Sequence, residues 1–168
     1  MVIKAEQIKG VSHTGYRREK NEDRFLIRYI DDSSALLAVA DGVGGEVGGD
    51  IAAQTVVDIL QESSLNSSID ERSLADFLEQ AGKLIFQTAD QKPELEGMGT
   101  TATVALVRDE NVYWAHVGDS RLYHFSSGNL QQITTDHTFV QDLIEDGTLT
   151  QEEAEKHPLR NMLDQCVG

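Results

Sequence analysis

Leu36-Leu37-Ala38-Val39-Ala40-Asp41-Gly42-Val43-Gly44-Gly45 is the stretch around which the chain is organised. Small and branched apolar residues in an unbroken run predict a buried strand, and the run stops at a carboxylate. Three glycines within the next four residues permit turns and close backbone approach that a Cβ would resist. Two readings of Asp41 stand side by side. In one it is a turn residue bonded to its own backbone; in the other it is an acid at the end of a rigid strand, where functional side chains are held well.

The remainder of the 168-residue chain narrows the choice. Its length suits one domain, residues 1–168, with a sizeable core. Hydrophobic content of 39% with only two prolines predicts a folded chain. A net charge of −15 repels phosphate backbones and anionic lipid, so nucleic acid and membrane surfaces are poor partners, while carboxylates are in surplus for a hard cation. No apolar run reaches membrane-spanning length and no signal-peptide pattern opens the chain. The single cysteine, Cys166, suits a reducing compartment. The expected location is cytoplasmic.

Outward from the opening stretch, Phe25–Ile30 alternates as a strand and Asp31-Asp32-Ser33-Ser34 supplies a turn, which predicts an antiparallel hairpin with Leu36–Ala40. Ile8–Thr14 alternates weakly, as a further strand would. Downstream, Ile51, Ala52, Val56, Ile59 and Leu60 recur at helical spacing. Leu74, Phe77, Leu78, Ala81, Leu84 and Ile85 mark a second helix face, with Ser68 and Glu71 as a capping box. Thr101–Val107, Val112–Val117 and Arg121–Phe125 then read as an antiparallel meander, followed by a short strand at Leu130–Thr134. Two small helices close the chain, one from about Thr138 to Gly147 and one capped by Thr150 with Glu153. Segregated strands and helices predict an α+β fold of packed layers.

Acidic residues recur at the predicted strand ends and turns: Glu22 and Asp23, Asp41, and Asp119. Carboxylates gathered at one edge resist joint ionisation unless a cation lies between them, and Mg²⁺ or Mn²⁺ suits oxygen donors. Arg18, just ahead of Glu22, is a suitable clamp for a phosphoryl group. The same acids would serve equally as solvated turn residues, and spacing does not separate these alternatives. None of the five histidines has metal-ligand spacing; His116 and His137 read as packed or capping residues.

Six motifs in order resemble the metal-dependent serine/threonine protein phosphatases of type 2C (PPM family) in their bacterial form. They are Gly15-Tyr16-Arg17-Arg18-Glu19-Lys20-Asn21-Glu22-Asp23, Val39-Ala40-Asp41-Gly42-Val43-Gly44-Gly45, Gly97-Met98-Gly99-Thr100-Thr101, His116-Val117-Gly118-Asp119-Ser120-Arg121, Thr135-Asp136-His137-Thr138 and His157-Pro158-Leu159-Arg160-Asn161. The resemblance implies a four-layer α-β-β-α sandwich of two antiparallel sheets flanked by helices. It implies two Mn²⁺ or Mg²⁺ ions, with Asp41 bridging them, the Gly42 carbonyl serving the second, and Glu22 and Asp23 holding metal or its waters. Asp119 would hold a third, weaker ion, and Arg18 would grip the substrate phosphate. The implied reaction is hydrolysis of phosphoserine or phosphothreonine in proteins by metal-activated water. The implied partners are phosphorylated proteins and a cognate serine/threonine kinase, with a monomer expected for the complete fold.

Two departures accompany the resemblance. Val43 stands where eukaryotic members carry a histidine, as in bacterial members. The family also continues past the flap with further Asp-Gly and Asp-Asn motifs, whereas the sequence here stops at Gly168. Two metal-ligand aspartates and the final strands and helix are therefore expected to be missing, leaving sheet edges and apolar surface exposed. The alternative function is a catalytically impaired domain of the same fold that binds phosphoproteins or a partner. A sigma-factor-regulating phosphatase is set aside because Arg18 occupies the clamp position.

Overall fold

The computed structural model describes residues 2–16, 18–43, 48–65 and 69–168. Strands β1 (Asp23–Asp31) and β2 (Ser34–Val43) form the expected hairpin, with Asp23 opposite Asp41 and Phe25 opposite Val39. Helices α1 (Gly49–Glu62) and α2 (Glu71–Gln91) follow. The chain returns through β3 (Gly99–Thr100), β4 (Ala102–Arg108) and β5 (Asn111–Val117). The sheet order is β1-β2-β4-β5, with β3 also paired to β2, and all these pairings are antiparallel. The fold is α+β, with two antiparallel sheets and helices.

Alternation explains how the helices dock. Leu36, Ala38 and Ala40 on β2, Leu26 on β1, and Ala102, Val104 and Leu106 on β4 form the sheet side of the core. The helices supply Ala52, Ala53, Val56, Leu60, Leu74, Leu78, Ala81 and Ile85. Of the helical stripes expected from sequence, Ile51 and Leu84 instead face solvent, because each lies at the margin of its apolar arc. On the same side of β1, Arg24 and Arg28 reach α1: Arg24 Nε donates to Gln54 Oε1 at 2.9 Å, and Arg28 Nη1 donates to the Leu60 carbonyl at 2.8 Å.

The opposite face of the sheet is also apolar. Phe25, Tyr29 and Val39, with Val112 and Trp114 on β5, lie there at 37–52% exposure. Apolar residues on both faces are the signature of a sheet meant to be covered on both.

Three further expectations need correction. Ile8–Thr14 forms no strand. The meander stops after β5: strand β6 (Tyr123–Ser126) leaves the first sheet and, among the described residues, pairs only with β7 (Asn129–Gln132), in a separate two-stranded sheet. The turn at Gly118-Asp119-Ser120 redirects the chain, because Gly118 adopts φ +106° directly over Thr101. The cap of α2 is Asp70, whose side chain accepts from the Ser73 amide at 3.0 Å; Ser68 lies outside the described residues. Helices α3 (Phe139–Glu145) and α4 (Gln151–Lys156) occupy the expected positions, with Thr138 and Thr150 as N-caps. Among the described residues no helix is long and apolar enough to cross a membrane.

The two faces of β2 should respond differently to truncation. Leu36→Ala, at a fully buried site, is expected to cost about 2–5 kcal/mol in urea unfolding. Val39→Ala, on the open face, is expected to cost less than about 1 kcal/mol. Equal losses would show that the open face is packed in solution.

Candidate functional site

Strand β2 runs two residues beyond Asp41, so this acid sits within the ladder rather than at its end. The ladder changes character there. Strands β3 and β4 keep one register against β2 but are interrupted at Thr101, opposite Asp41. The Asp41 amide donates to the Thr101 hydroxyl at 3.0 Å instead of to a carbonyl. Its carbonyl accepts from the Thr101 amide at 2.9 Å and from Thr100 Oγ1 at 3.0 Å. Thr101 Oγ1 lies 2.7 Å from Ser120 Oγ, linking this point to the turn that carries Asp119. Both threonines are fully buried, so the Asp41 backbone is fixed.

Gly42 is required by packing. A Cβ on it would stand 2.3 Å from the Gly49 backbone at the start of α1. This contact brings the helix N-terminus against the strand end, and the Gly42 amide faces the Glu22 carbonyl at 3.4 Å. Asp41, Gly42, Glu22, Arg18 and Asp119 line one cleft of about 740 Å³, together with Glu19, Lys20, Val43, Asn161 and Leu163. Asp23 is placed directly across the strand pair from Asp41. The acids singled out in the sequence therefore meet at one end of the first sheet. Arg18 also lies there, largely exposed, with Nη1 3.4 Å from Glu22 Oε2. Arg17, Gly44 and Gly45 fall outside the described residues.

The electrostatics follow from this crowding. Burial pushes the Asp41 carboxyl up from 3.8 to about 6, and the charge of Asp23 and a hydrogen bond with it push the same way. Asp119 adds to the effect while Arg18 opposes it. Like charges directly opposite on paired strands repel. A hard divalent cation relieves that repulsion and takes carboxylate and carbonyl oxygens as ligands, so the donor set fits Mg²⁺ or Mn²⁺. Among the described residues, however, no three acidic, histidine or cysteine side chains converge closely enough to hold a metal by themselves. Carbonyl and water ligands would have to complete any coordination by Asp41 and Asp23.

The residues that support the site were less visible in the sequence. His116 and His137 pack ring against ring at a tilt of 46°, centroids 4.9 Å apart, and burial followed by the His137 charge holds the His116 pKa below its ordinary value. His116 Nδ1 lies 2.8 Å from Thr103 Oγ1, and the Gly118 amide donates to His137 Nδ1 at 3.3 Å. Arg121 forks onto Asp136, with Nε and Nη2 contacts of 2.6–3.0 Å. The two ends of the α3–α4 segment are stitched together by the Phe139 amide on the Met162 carbonyl and the Asp164 amide on the His137 carbonyl. Asn161 and Leu163 reach the cleft through this closure. Asn161 belongs to the motif His157–Asn161, which by itself indicates no role for it, and Lys20 has no sequence signal that sets it apart from the neighbouring charges.

The chain is similar in sequence and fold to known proteins. The protein phosphatase 2C family model matches residues 3–143. The serine/threonine protein phosphatase PstP of Mycobacterium tuberculosis is 38% identical over 154 residues, which cover 88% of this chain and 30% of that protein. The serine/threonine phosphatase Stp1 from Staphylococcus aureus superposes with a TM-score of 0.85 at 37% identity, covering 93% of this chain and 63% of that one. The catalytic domain of PstP in complex with two manganese ions superposes with a TM-score of 0.76 at 34% identity, covering 91% of this chain and 63% of that one. The chain thus spans less than two thirds of the length of these relatives.

The raised Asp41 pKa has a stability consequence with a definite sign. A carboxyl whose folded pKa lies above its unfolded value favours the fold below about pH 4 and loses that contribution as pH rises through about 6. In chelator, the wild-type chain should therefore lose thermal stability across this window. Asp41→Asn should lack that loss and melt a few degrees higher than wild type at pH 7.5. Parallel pH dependences of the two melting temperatures from pH 4 to 7.5 would contradict the burial of Asp41 and its crowding by Asp23.

Proposed function

The chain belongs to the protein phosphatase 2C family, and we propose that its acidic cleft serves the hydrolysis of phosphoserine and phosphothreonine in proteins. The observation that carries this reading is the placement of Asp23 opposite Asp41 on the paired strand, with Asp41 itself lining a cleft that also holds Arg18. Acids alone would repel a phosphate dianion. Acids neutralised by divalent cations, with a guanidinium beside them, would attract one.

Asp41, Asp23 and the Gly42 carbonyl are the proposed holders of two Mn²⁺ or Mg²⁺ ions, with Glu22 ordering their waters and Asp119 serving a weaker third ion. Bound there, the ions would supply a water of lowered pKa and neutralise charge on the phosphoryl oxygens. The chain's own residues perform the positioning. The Thr100, Thr101 and Ser120 hydroxyls hold Asp41 and the Asp119 turn in fixed relation. Arg18, tethered to Glu22 but otherwise exposed, is free to turn its fork onto phosphate oxygens. No covalent phosphoenzyme is required, and Cys166 lies outside the residues lining the cleft.

Relatives named as serine/threonine protein phosphatases favour this hydrolytic reading over binding without turnover. The substrates proposed are cytoplasmic phosphoproteins modified by a serine/threonine kinase. The domain assignment proposed is a single PPM-type phosphatase domain over residues 1–168.

The test is hydrolysis of a phosphothreonine peptide by the chain with Mn²⁺, with Mg²⁺ and with chelator. Turnover is expected only with metal, and Asp41→Ala should abolish it. Arg18→Ala should lower kcat/KM by about 10²-fold, the loss of one charge-assisted phosphate contact of about 2–3 kcal/mol. Full activity in chelator would overturn the metal-dependent reading. Undiminished kcat/KM in Arg18→Ala would remove Arg18 from the phosphate site.

A further inference from the structure

Beyond the residues of the cleft itself, we propose that Arg24 is a positioning residue that clamps the backbone of the acidic segment Asn21–Asp23 to the first turns of α1. Alternation along β1 sends Asp23 toward the open face and Arg24 toward the helix layer, so adjacent residues serve opposite sides of the sheet. Arg24 Nη1 donates to the Asn21 carbonyl at 3.0 Å and to the Asp23 carbonyl at 2.8 Å, bracketing Glu22. Its Nε donates to Gln54 Oε1 at 2.9 Å, and its Nη2 lies 3.8 Å from Asp50 Oδ2. Lys20 closes the loop from the other side, with Nζ 2.8 Å from Asp50 Oδ1.

The consequence is that every carbonyl of the acidic segment is engaged. Those of Asn21 and Asp23 face Arg24, and that of Glu22 faces the Gly42 amide. The Asp23 amide is held as well, by Asn21 Oδ1 at 3.0 Å. Glu22 and Asp23 precede or begin the strand, where a chain ordinarily frays. Two neighbouring acids beside Asp41 would splay further apart by repulsion. A planar guanidinium contacting two carbonyls and the helix is suited to oppose this, because its donors diverge in a fixed fork that an ammonium lacks. Positive charge behind the segment also offsets the negative charge in front of it.

Arg28 supplies the internal comparison. It lies on the same strand and the same face, and its Nη1 binds the Leu60 and Ser63 carbonyls at the far end of α1. Both arginines join β1 to α1, but only Arg24 touches the acidic segment. A purely structural role would make the two equivalent.

The experiment compares Arg24→Met, Arg24→Lys and Arg28→Met in the full chain. Amide hydrogen exchange at Asp23 and Gly42 is measured by NMR without metal, with the β4 amides as reference, and Mn²⁺ affinity is measured by EPR. Arg24→Met is expected to speed exchange at Asp23 and Gly42 at least tenfold relative to β4 and to weaken Mn²⁺ binding about tenfold. Arg24→Lys, which keeps the charge but not the fork, should show a smaller change in the same direction and covers the case in which the methionine variant does not fold. Arg28→Met should lower stability without a selective effect at either amide. Unchanged relative exchange in the Arg24 variants, or an equal effect from Arg28→Met, would overturn the clamp. The affinity arm rests on the proposed metal site. Selective loosening in a chain whose wild type binds no Mn²⁺ would uphold the clamp and refute the metal reading instead.

Discussion

Two carboxylates face each other across the β1–β2 ladder, and the organisation of this end of the molecule follows from keeping them there. Asp23 and Asp41 occupy directly opposed positions of one register. Any slip of one residue would turn one of them toward the helices. That register is enforced by the helix-facing residues of the same strands, Leu26, Leu36, Ala38 and Ala40, all buried beneath α1 and α2. The apolar side of the sheet thus holds in place the repulsion on its other side. Burial, with the Asp23 charge added to it, raises the Asp41 carboxyl to about 6.

The supporting contacts divide the labour by chemistry. Backbone placement of Asp41 depends on hydroxyls, since the break between β3 and β4 removes a ladder partner and Thr101 supplies its side chain instead. Close approach of strand and helix depends on Gly42 and Gly49, where neither chain has a Cβ to interpose. Placement of Glu22 and Asp23 depends on charge, through Arg24, Lys20 and Asp50. Asp50 is held below its ordinary pKa chiefly by Lys20, which keeps this anchor ionised in the conditions where the cleft itself is negative.

The second sheet and the closing helices bear on the cleft through their connections. The Gly118 turn carries Asp119 and meets His137 by a pair of hydrogen bonds, and Arg121 secures Asp136 next to it. From there the α3–α4 segment leaves and returns, delivering Asn161 and Leu163 to the cleft. Family membership and the superposition on bacterial serine/threonine phosphatases place this arrangement among known folds. The apolar open face of the first sheet, with Phe25, Val39 and Trp114 partly exposed, is a feature of the chain as it stands.

By itself, the sequence determined the hairpin, both long helices, the β4–β5 pair and the set of acids. These are local signals: periodicity along one strand or helix, a cap three residues from its partner, glycines beside a carboxylate. The motif order, from Gly15 to Asn161, also made the family legible. Only the tertiary structure decided that Asp23 opposes Asp41, that β6 leaves the sheet for β7, and that Asp70 caps α2. It alone showed Arg24 and Arg28, two similar residues on one strand face, serving different ends of α1. Such outcomes depend on register, on the direction a chain takes after a turn, and on partners some thirty residues away. No window along the sequence contains them.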